Sequence, residues 1–330
     1  MINILLLSLG HGTSLLFPFL EALKKTKTRG RVIATDRDPC AAALQFSDKA
    51  YIVPGRNEPD FNSAIKQIIK REKITLVVPS ADGDMIHFAK AKAEFEKTGV
   101  RVLVSDQKTI EITTDKLKFF NFCLENNIRV PKFYSAAELA GSRSAVKYPA
   151  FINDRFGQGS RFAHKLESQN DLLYFLKRIP NPIVSDYIAA DEYSVDCFCD
   201  FDGQVISIVP RRRLLVCGGE SFVTRTEKNK TIIGATLELL KKLKVIGPAN
   251  IQCFFDGRDA TFFEVNARFG GAVRSAFEAG AATPELLINL LKGKRIKPRL
   301  GKFKDRRLML RYNDDLFINE KDLKKIARIN

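Results

Sequence analysis

From residue 2 to residue 104 the chain alternates short, nearly continuous apolar runs with stretches of helical periodicity. No other feature of its 330 residues restricts the fold as much. Residues 2–7 are apolar except for Asn3, the pattern of a strand buried on both faces. A helix is predicted over 14–25, a second strand over 31–35 ending at Asp36, and a third over 51–53 before Pro54. A helix over 61–70 follows, then strands over 75–78 before Pro79 and over 100–104. Strands separated by helical patterns give right-handed crossovers and a parallel sheet.

After about residue 115 the pattern changes. A helix over 115–126 and a new segment from Pro131 lead into successive strands over 183–187, 193–200 and 205–216. Asp200-Phe201-Asp202-Gly203 supplies a hairpin turn between the last two. A helix over 230–243 precedes strands over 249–255 and 260–266, joined by Asp256-Gly257-Arg258-Asp259. The expected fold class is therefore α/β followed by α+β, in at least two differently built domains. Residues 273–280 read as an ordinary packing helix.

Composition bounds the function. With 45% hydrophobic and 28% charged residues the chain is globular, not disordered. A net charge of +16 invites a nucleic-acid partner. However, residues 292–311 hold ten Lys or Arg against one Asp, more than half of that excess. Such a run is expected to be a solvated connecting segment leading into a final strand over 307–312, so no nucleic-acid partner is expected. Six cysteines form no C-x-x-C, and three histidines (His11, His87 and His164) have no metal-ligand spacing, which excludes a zinc site and a disulfide framework. The apolar run over 4–9 lacks a basic leader and stops at Gly10-His11-Gly12. No run reaches the roughly 18 apolar residues of a membrane span. The expectation is a reduced, cytoplasmic protein without a membrane partner.

Three constellations could carry chemistry. Gly10-x-Gly12 with Asp36 suits a dinucleotide pyrophosphate and ribose, but Leu15 replaces the third glycine and a tight strand-to-helix turn explains the pair equally. Arg155-Phe156-Gly157-Gln158-Gly159-Ser160-Arg161 lies between two strands, where its main-chain N–H groups can wrap an anion or simply make a loop. The third is the most specific. Alternation puts Glu264 and Asn266 on one face of a buried hairpin with Gln252 opposite, an all-oxygen set suited to Mg²⁺. Arg268, two residues on, is expected on the same face, meeting phosphates.

Taken in order, Asp115-Lys116, Tyr148 to Ile152, Gly157-Gln158-Gly159-Ser160, Val184 to Tyr187, Glu192 to Asp196, Asn250-Ile251-Gln252 and Glu264 to Gly271 resemble the ATP-grasp superfamily. The branch they resemble most is that of the carbamoyl-phosphate synthase large subunit. The resemblance implies a Rossmann-like pre-ATP-grasp domain (1–114) and a two-lobed ATP-grasp domain (115–330), with a small lid lobe over 115–184 and a C-terminal lobe over 185–330. It implies that Lys116, Asn153, Arg155, Gly157, Gly159 and Ser160 face the phosphates of ATP. Val184, Asp186 and Tyr187 would belong to the hinge beside adenine, and Glu192 would hold the ribose. Gln252, Glu264 and Asn266 would bind Mg²⁺ (Mn²⁺ as a substitute), with Asn266 and Arg268 serving catalysis. Pro79-Ser80-Ala81-Asp82 stands where the family places substrate contacts.

The implied activity is an ATP- and Mg-dependent ligase. It would convert a small carboxylate to an acyl phosphate and join it to an amine or other nucleophile, with a homodimer as a compatible assembly. One departure is notable. Asn153 stands where the family usually carries Lys or Arg, and it offers no charge; Arg155 and Arg161 are the nearest substitutes, with Arg211 and Arg213 further on. That departure motivates an alternative, an ATP-binding protein of the same fold with impaired catalysis. A Rossmann-type dehydrogenase would account for Gly10, Gly12 and Asp36 but leaves the second half without a role.

Overall fold

The computed structural model of the chain describes residues 1–10, 12–141, 146–157, 159, 162–323 and 326–329. His11, Gln158, Ser160 and Arg161 lie outside the described residues, so the expectations placed on them stay with the sequence.

The first sheet is parallel. It is built from β1 (Ile2–Leu7), β2 (Gly30–Asp36), β3 (Lys49–Ile52), β4 (Leu76–Val78) and β5 (Arg101–Val102), in the order β3-β2-β1-β4-β5. Every residue of β1 is buried, because it pairs with β2 on one side and β4 on the other and is covered on both faces. The helix Leu16–Lys25 presses Leu16, Phe19, Ala22 and Leu23 inward at helical spacing. The helix Asp82–Glu96 was not expected, because its apolar residues form no clean stripe. Two acids in its first turn favour its N-terminus all the same.

A second sheet is antiparallel and smaller: β6 (Phe133–Ser135), β7 (Ala150–Asp154), β8 (His164–Leu166) and β9 (Pro182–Asp186), in the order β6-β9-β7-β8. The third is the largest. It contains β10 (Asp191–Cys199), β11 (Val205–Cys217), β12 (Glu220–Thr226), β13 (Gly247–Phe255), β14 (Ala260–Asn266) and β15 (Leu308–Leu310), ordered β14-β13-β10-β11-β12-β15. A further strand, β16 (Ala327–Arg328), returns to the first sheet and pairs in parallel with β3. The fold is thus the expected α/β part followed by antiparallel sheets.

Two local expectations gain detail. The predicted helix over 273–280 runs through Arg274–Ala276 and widens over Phe277–Ala281, and Gly280, with φ 111°, kinks its end. The basic run over 292–311 is more than a solvated connector. Its charged ends are mostly exposed, but Phe303 is buried, the Arg299 N–H donates to the Ile206 carbonyl and the Lys304 N–H to that of Ala279. Its backbone is anchored along the large sheet while its charges stay in water. Among the described residues no helix is long and apolar enough to cross a membrane.

Candidate active site

The third sheet and the small sheet face each other across a cleft of about 410 Å³. Lys116, Asn153, Asp154, Gly157 and Gly159 line one side, with Ser185, Asp186 and Tyr187 at the exit of β9 and Glu192, Arg213, Gln252 and Glu264 opposite. That size and mixture of apolar walls with a few converging polar groups suits a drug-sized ligand. Phe254 and Phe263, stacked with ring centroids 4.5 Å apart, are part of its apolar lining.

The glycine-rich loop is held at its base. Asp115 caps the helix Lys116–Glu125, accepting from the amides of Leu117 (3.0 Å) and Lys118 (3.2 Å). The same carboxylate takes a two-pronged ion pair from Arg155, Nε to Oδ1 and Nη2 to Oδ2 both at 2.6 Å. The Lys116 ammonium donates to the carbonyls of Asp154 (3.1 Å) and Gly157 (2.8 Å). Gly157 leaves no room for a side chain, since a Cβ there would lie 2.8 Å from that of Asp154, and Gly159 has φ 62°.

Burial acts to raise the Asp115 carboxyl, but the hydrogen bonds from Arg155 and from the amides outweigh it and hold it below the usual carboxylate value. An acid shifted this way stabilises the fold above its unfolded pKa of about 3.9, and the contribution fades as pH falls through the lower folded value. Asp115→Ala is therefore expected to cost about 1–2 kcal/mol at neutral pH and much less well below its folded pKa. Urea denaturation of both proteins across the acid range checks it.

Opposite the loop, one polar ladder crosses four strands. Asn266 Nδ2 donates to Glu264 Oε1 at 3.0 Å. With its amide turned so that both ends are satisfied, Gln252 Nε2 donates to Glu264 Oε2 at 2.9 Å, and its oxygen accepts from Arg213 Nη1 at 2.7 Å. Arg213 also pairs with Glu192 and donates from Nη2 to the Gly219 carbonyl at 2.7 Å. The pairing Gln252↔Glu264 and Asn250↔Asn266 is the one that hairpin alternation predicts. Burial raises the Glu192 carboxyl, with Arg213 pulling it down and Glu264 pushing it up.

A second, buried ladder lies one row along. Arg211 Nε donates to Asp196 Oδ2 at 2.6 Å, and Asn250 Nδ2 donates to Asp196 Oδ1 at 2.8 Å.

The sequence-derived residues therefore fall into groups. Lys116, Asn153, Gly157, Gly159, Asp186, Tyr187, Glu192, Gln252 and Glu264 line one cleft. Val184 is fully buried in the core of the small sheet. Arg155 is turned to Asp115 and does not line the cleft. Asn266 opens onto a narrow recess of about 30 Å³, shared with Asp82, Thr113, Thr114, Lys116 and Glu264. Arg268 has a partner that the sequence did not supply. Strand β14 stops at Asn266, so alternation no longer sets its direction, and Arg268 makes a two-pronged ion pair with Asp82 (Nε to Oδ1 and Nη2 to Oδ2, both 2.8 Å). Asp82, which the resemblance sets among the residues of a strand end near substrate, thus joins the first domain to the site.

At the tip of the first sheet, Asp36 accepts from the amides of Gly10 and Asp38, both at 3.0 Å. Its carboxylate closes the strand-to-helix turn, the simpler of the two readings of Gly10-x-Gly12. Among the described residues no three His, Cys, Asp or Glu side chains gather to hold a metal; the candidate set is one carboxylate with two amides. Such a set matches Mg²⁺, which takes one or two carboxylates and completes its shell with phosphate and water.

Both halves of the chain are similar to known proteins. Residues 178–312 match the model of a family described as ATP-grasp in the biosynthetic pathway with Ter operon. Residues 4–103 match the PylC-like, N-terminal domain. The carbamoyl phosphate synthase large chain of Thermoplasma volcanium is 24% identical over 262 residues, which is 72% of this chain and 24% of that one. The chain thus spans about a quarter of that relative's length. Among solved structures, the L-amino acid ligase from Bacillus licheniformis superposes with a TM-score of 0.70 at 16% identity, covering 93% of this chain and 78% of that one. A biotin carboxylase–βγ-ATP complex from Campylobacter jejuni gives 0.72 at 14% identity, covering 92% and 73%.

Proposed function

We propose that this chain, whose residues 178–312 match an ATP-grasp family model, is an ATP-dependent ligase that activates a small carboxylate as an acyl phosphate and passes it to an amine or related nucleophile. The observation that carries the reading is the ladder Asn266–Glu264–Gln252–Arg213, which faces the glycine-rich loop across a cleft of nucleotide size.

In this reading the backbone at Ser185 to Tyr187 and the rings of Phe254 and Phe263 hold the base, and Glu192 accepts hydrogen bonds from ribose hydroxyls. The loop around Gly157 and Gly159 covers the phosphates and excludes water, which would otherwise hydrolyse an acyl phosphate. Gln252, Glu264 and Asn266 would hold Mg²⁺, which when bound neutralises charge on the transferring phosphoryl group. Lys116 lines both the cleft and the recess, where its charge favours an in-line phosphoryl transfer. The carboxylate enters from the recess between Asp82 and Asn266. That recess has space for about one water molecule, so substrate binding requires the Arg268–Asp82 side to open. Arg268, released from Asp82 or still steered by it, then meets the incoming anion.

The test is ADP release from Mg-ATP against a panel of amino acids and other small carboxylates, with hydroxylamine as nucleophile. A carboxylate-dependent hydroxamate appearing with ADP is the expected result. AMP as product, or no nucleotide binding, overturns it. The uncharged Asn153 on the lid side of the cleft favours one second reading, a binding protein with impaired turnover. That protein would bind ATP and release no ADP with any member of the panel.

A further inference from the structure

An ATP site needs cations, and the charges lining this cleft run the other way. Among the described residues, Asp154, Asp186, Glu192 and Glu264 stand against Lys116 and Arg213. Other described cations nearby are spoken for. Arg155 is locked in its two-pronged pair with Asp115, and Arg211 is buried against Asp196 and Thr224. Lys116 is tied to two carbonyls at the root of the loop.

Arg213 differs from all of these. Its side chain is 5% exposed and lines the cleft on the face opposite Asn153. Its Nη atoms serve Glu192, Gln252 and the Gly219 carbonyl, but its Nε is buried with no partner. A buried N–H left unpaired is costly, and a guanidinium is built to grip phosphate with two parallel donors. Its present acid partner is Glu192, the group that the proposed function assigns to ribose.

We propose that Arg213 is the phosphate-binding cation of this chain, taking from the floor of the cleft the role that Asn153 cannot fill from the lid. This rests on the ATP-dependent reading above. Nucleotide binding then exchanges partners: Arg213 turns its free donors to phosphate oxygens, and Glu192 gives up part of its ion pair to hydroxyl groups. Phosphate recognition is thereby built into the large sheet, beside Gln252 and Glu264, and not into the small one.

The test is calorimetric titration of the whole chain with ATP, ADP and adenosine. For Arg213→Gln, affinity for ATP and ADP is expected to fall about 10–100-fold, the loss of one or two charge-assisted hydrogen bonds, while adenosine binds as to wild type. Arg213→Lys, which keeps charge but not the fork, should lie between them and guards against a Gln variant that fails to fold. Adding Asn153→Lys to Arg213→Gln should restore much of the ATP affinity by returning a cation to the lid. Unchanged ATP affinity in Arg213→Gln overturns the proposal, as does an equal loss for adenosine, which would mean that Arg213 only positions Glu192. A wild-type chain that binds none of the three overturns the ATP-dependent reading itself.

Discussion

Glu264→Gln is expected to lower turnover by about 10²–10³-fold while the protein stays folded. The substitution is isosteric, so β14 and its pairing with β13 are undisturbed. What changes is charge and donor direction. Glu264 is the only carboxylate of the candidate metal set, and it accepts from Asn266 on one oxygen and from Gln252 on the other. A Gln there replaces one acceptor with an NH₂, so Asn266 or Gln252 must turn its amide to keep its hydrogen bond, and the negative charge that would hold the metal is lost. Losing a group aimed at the charge that develops in a transition state costs rates of this order. ADP release at saturating Mg-ATP and carboxylate gives the rate, and a thermal melt shows that the fold is intact. A Gln variant turning over at the wild-type rate removes Glu264 from the metal set.

The second large effect concerns stability. Arg211→Met is expected to destabilise the chain by about 3–5 kcal/mol, because it strands Asp196 as a charge inside the sheet. The two side chains are 1% and 6% exposed, and only Asn250 would still contact the carboxylate. Replacing both members, Asp196→Leu with Arg211→Met, should recover most of the loss, since a buried ion pair and an apolar pair of similar volume are nearly equivalent. Recovery stays incomplete because Asn250 Nδ2 then lacks its acceptor, at about 1–3 kcal/mol. Urea denaturation of the three proteins checks the ordering. If the single variant is as stable as wild type, the ladder adds nothing to the sheet.

Much of this architecture could be read from residue patterns. The continuous apolar run of β1 and the β13–β14 hairpin stand where they were expected, since burial on both faces and strict alternation are local signals. The helix Asp82–Glu96 was invisible because its buried residues follow no single stripe, and two of them, Asp82 and Asp84, are acids. Their burial makes sense only with Arg268 and Arg56 alongside, each far away in sequence. Arg268 shows the same limit from the other side. Alternation carries a prediction only while the strand lasts, and β14 ends two residues before it. Arg213 left a trace in the sequence, the last of three consecutive arginines in β11, but choosing among them needed the sheet. Arg211 is buried against Asp196, Arg212 pairs with Asp191 and Arg213 faces the cleft.

The return of β16 to the first sheet has a consequence for how the molecule is made. Tyr51 and Ile52 on the rim of β3 pair with Ala327 and Arg328, and the Ile329 amide donates to the Ile52 carbonyl at 3.0 Å. Ile329 also packs into the core of that sheet. On the ribosome β3 emerges before residues 327–329 exist to pair with it, and an unpaired strand rim is a template for wrong partners. The rim is closed only after both antiparallel sheets have been synthesised, so this pairing is among the longest loops the chain must close and is expected among its late folding events. The segment works as a clasp that fastens residues 51 and 52 with residues made long after them.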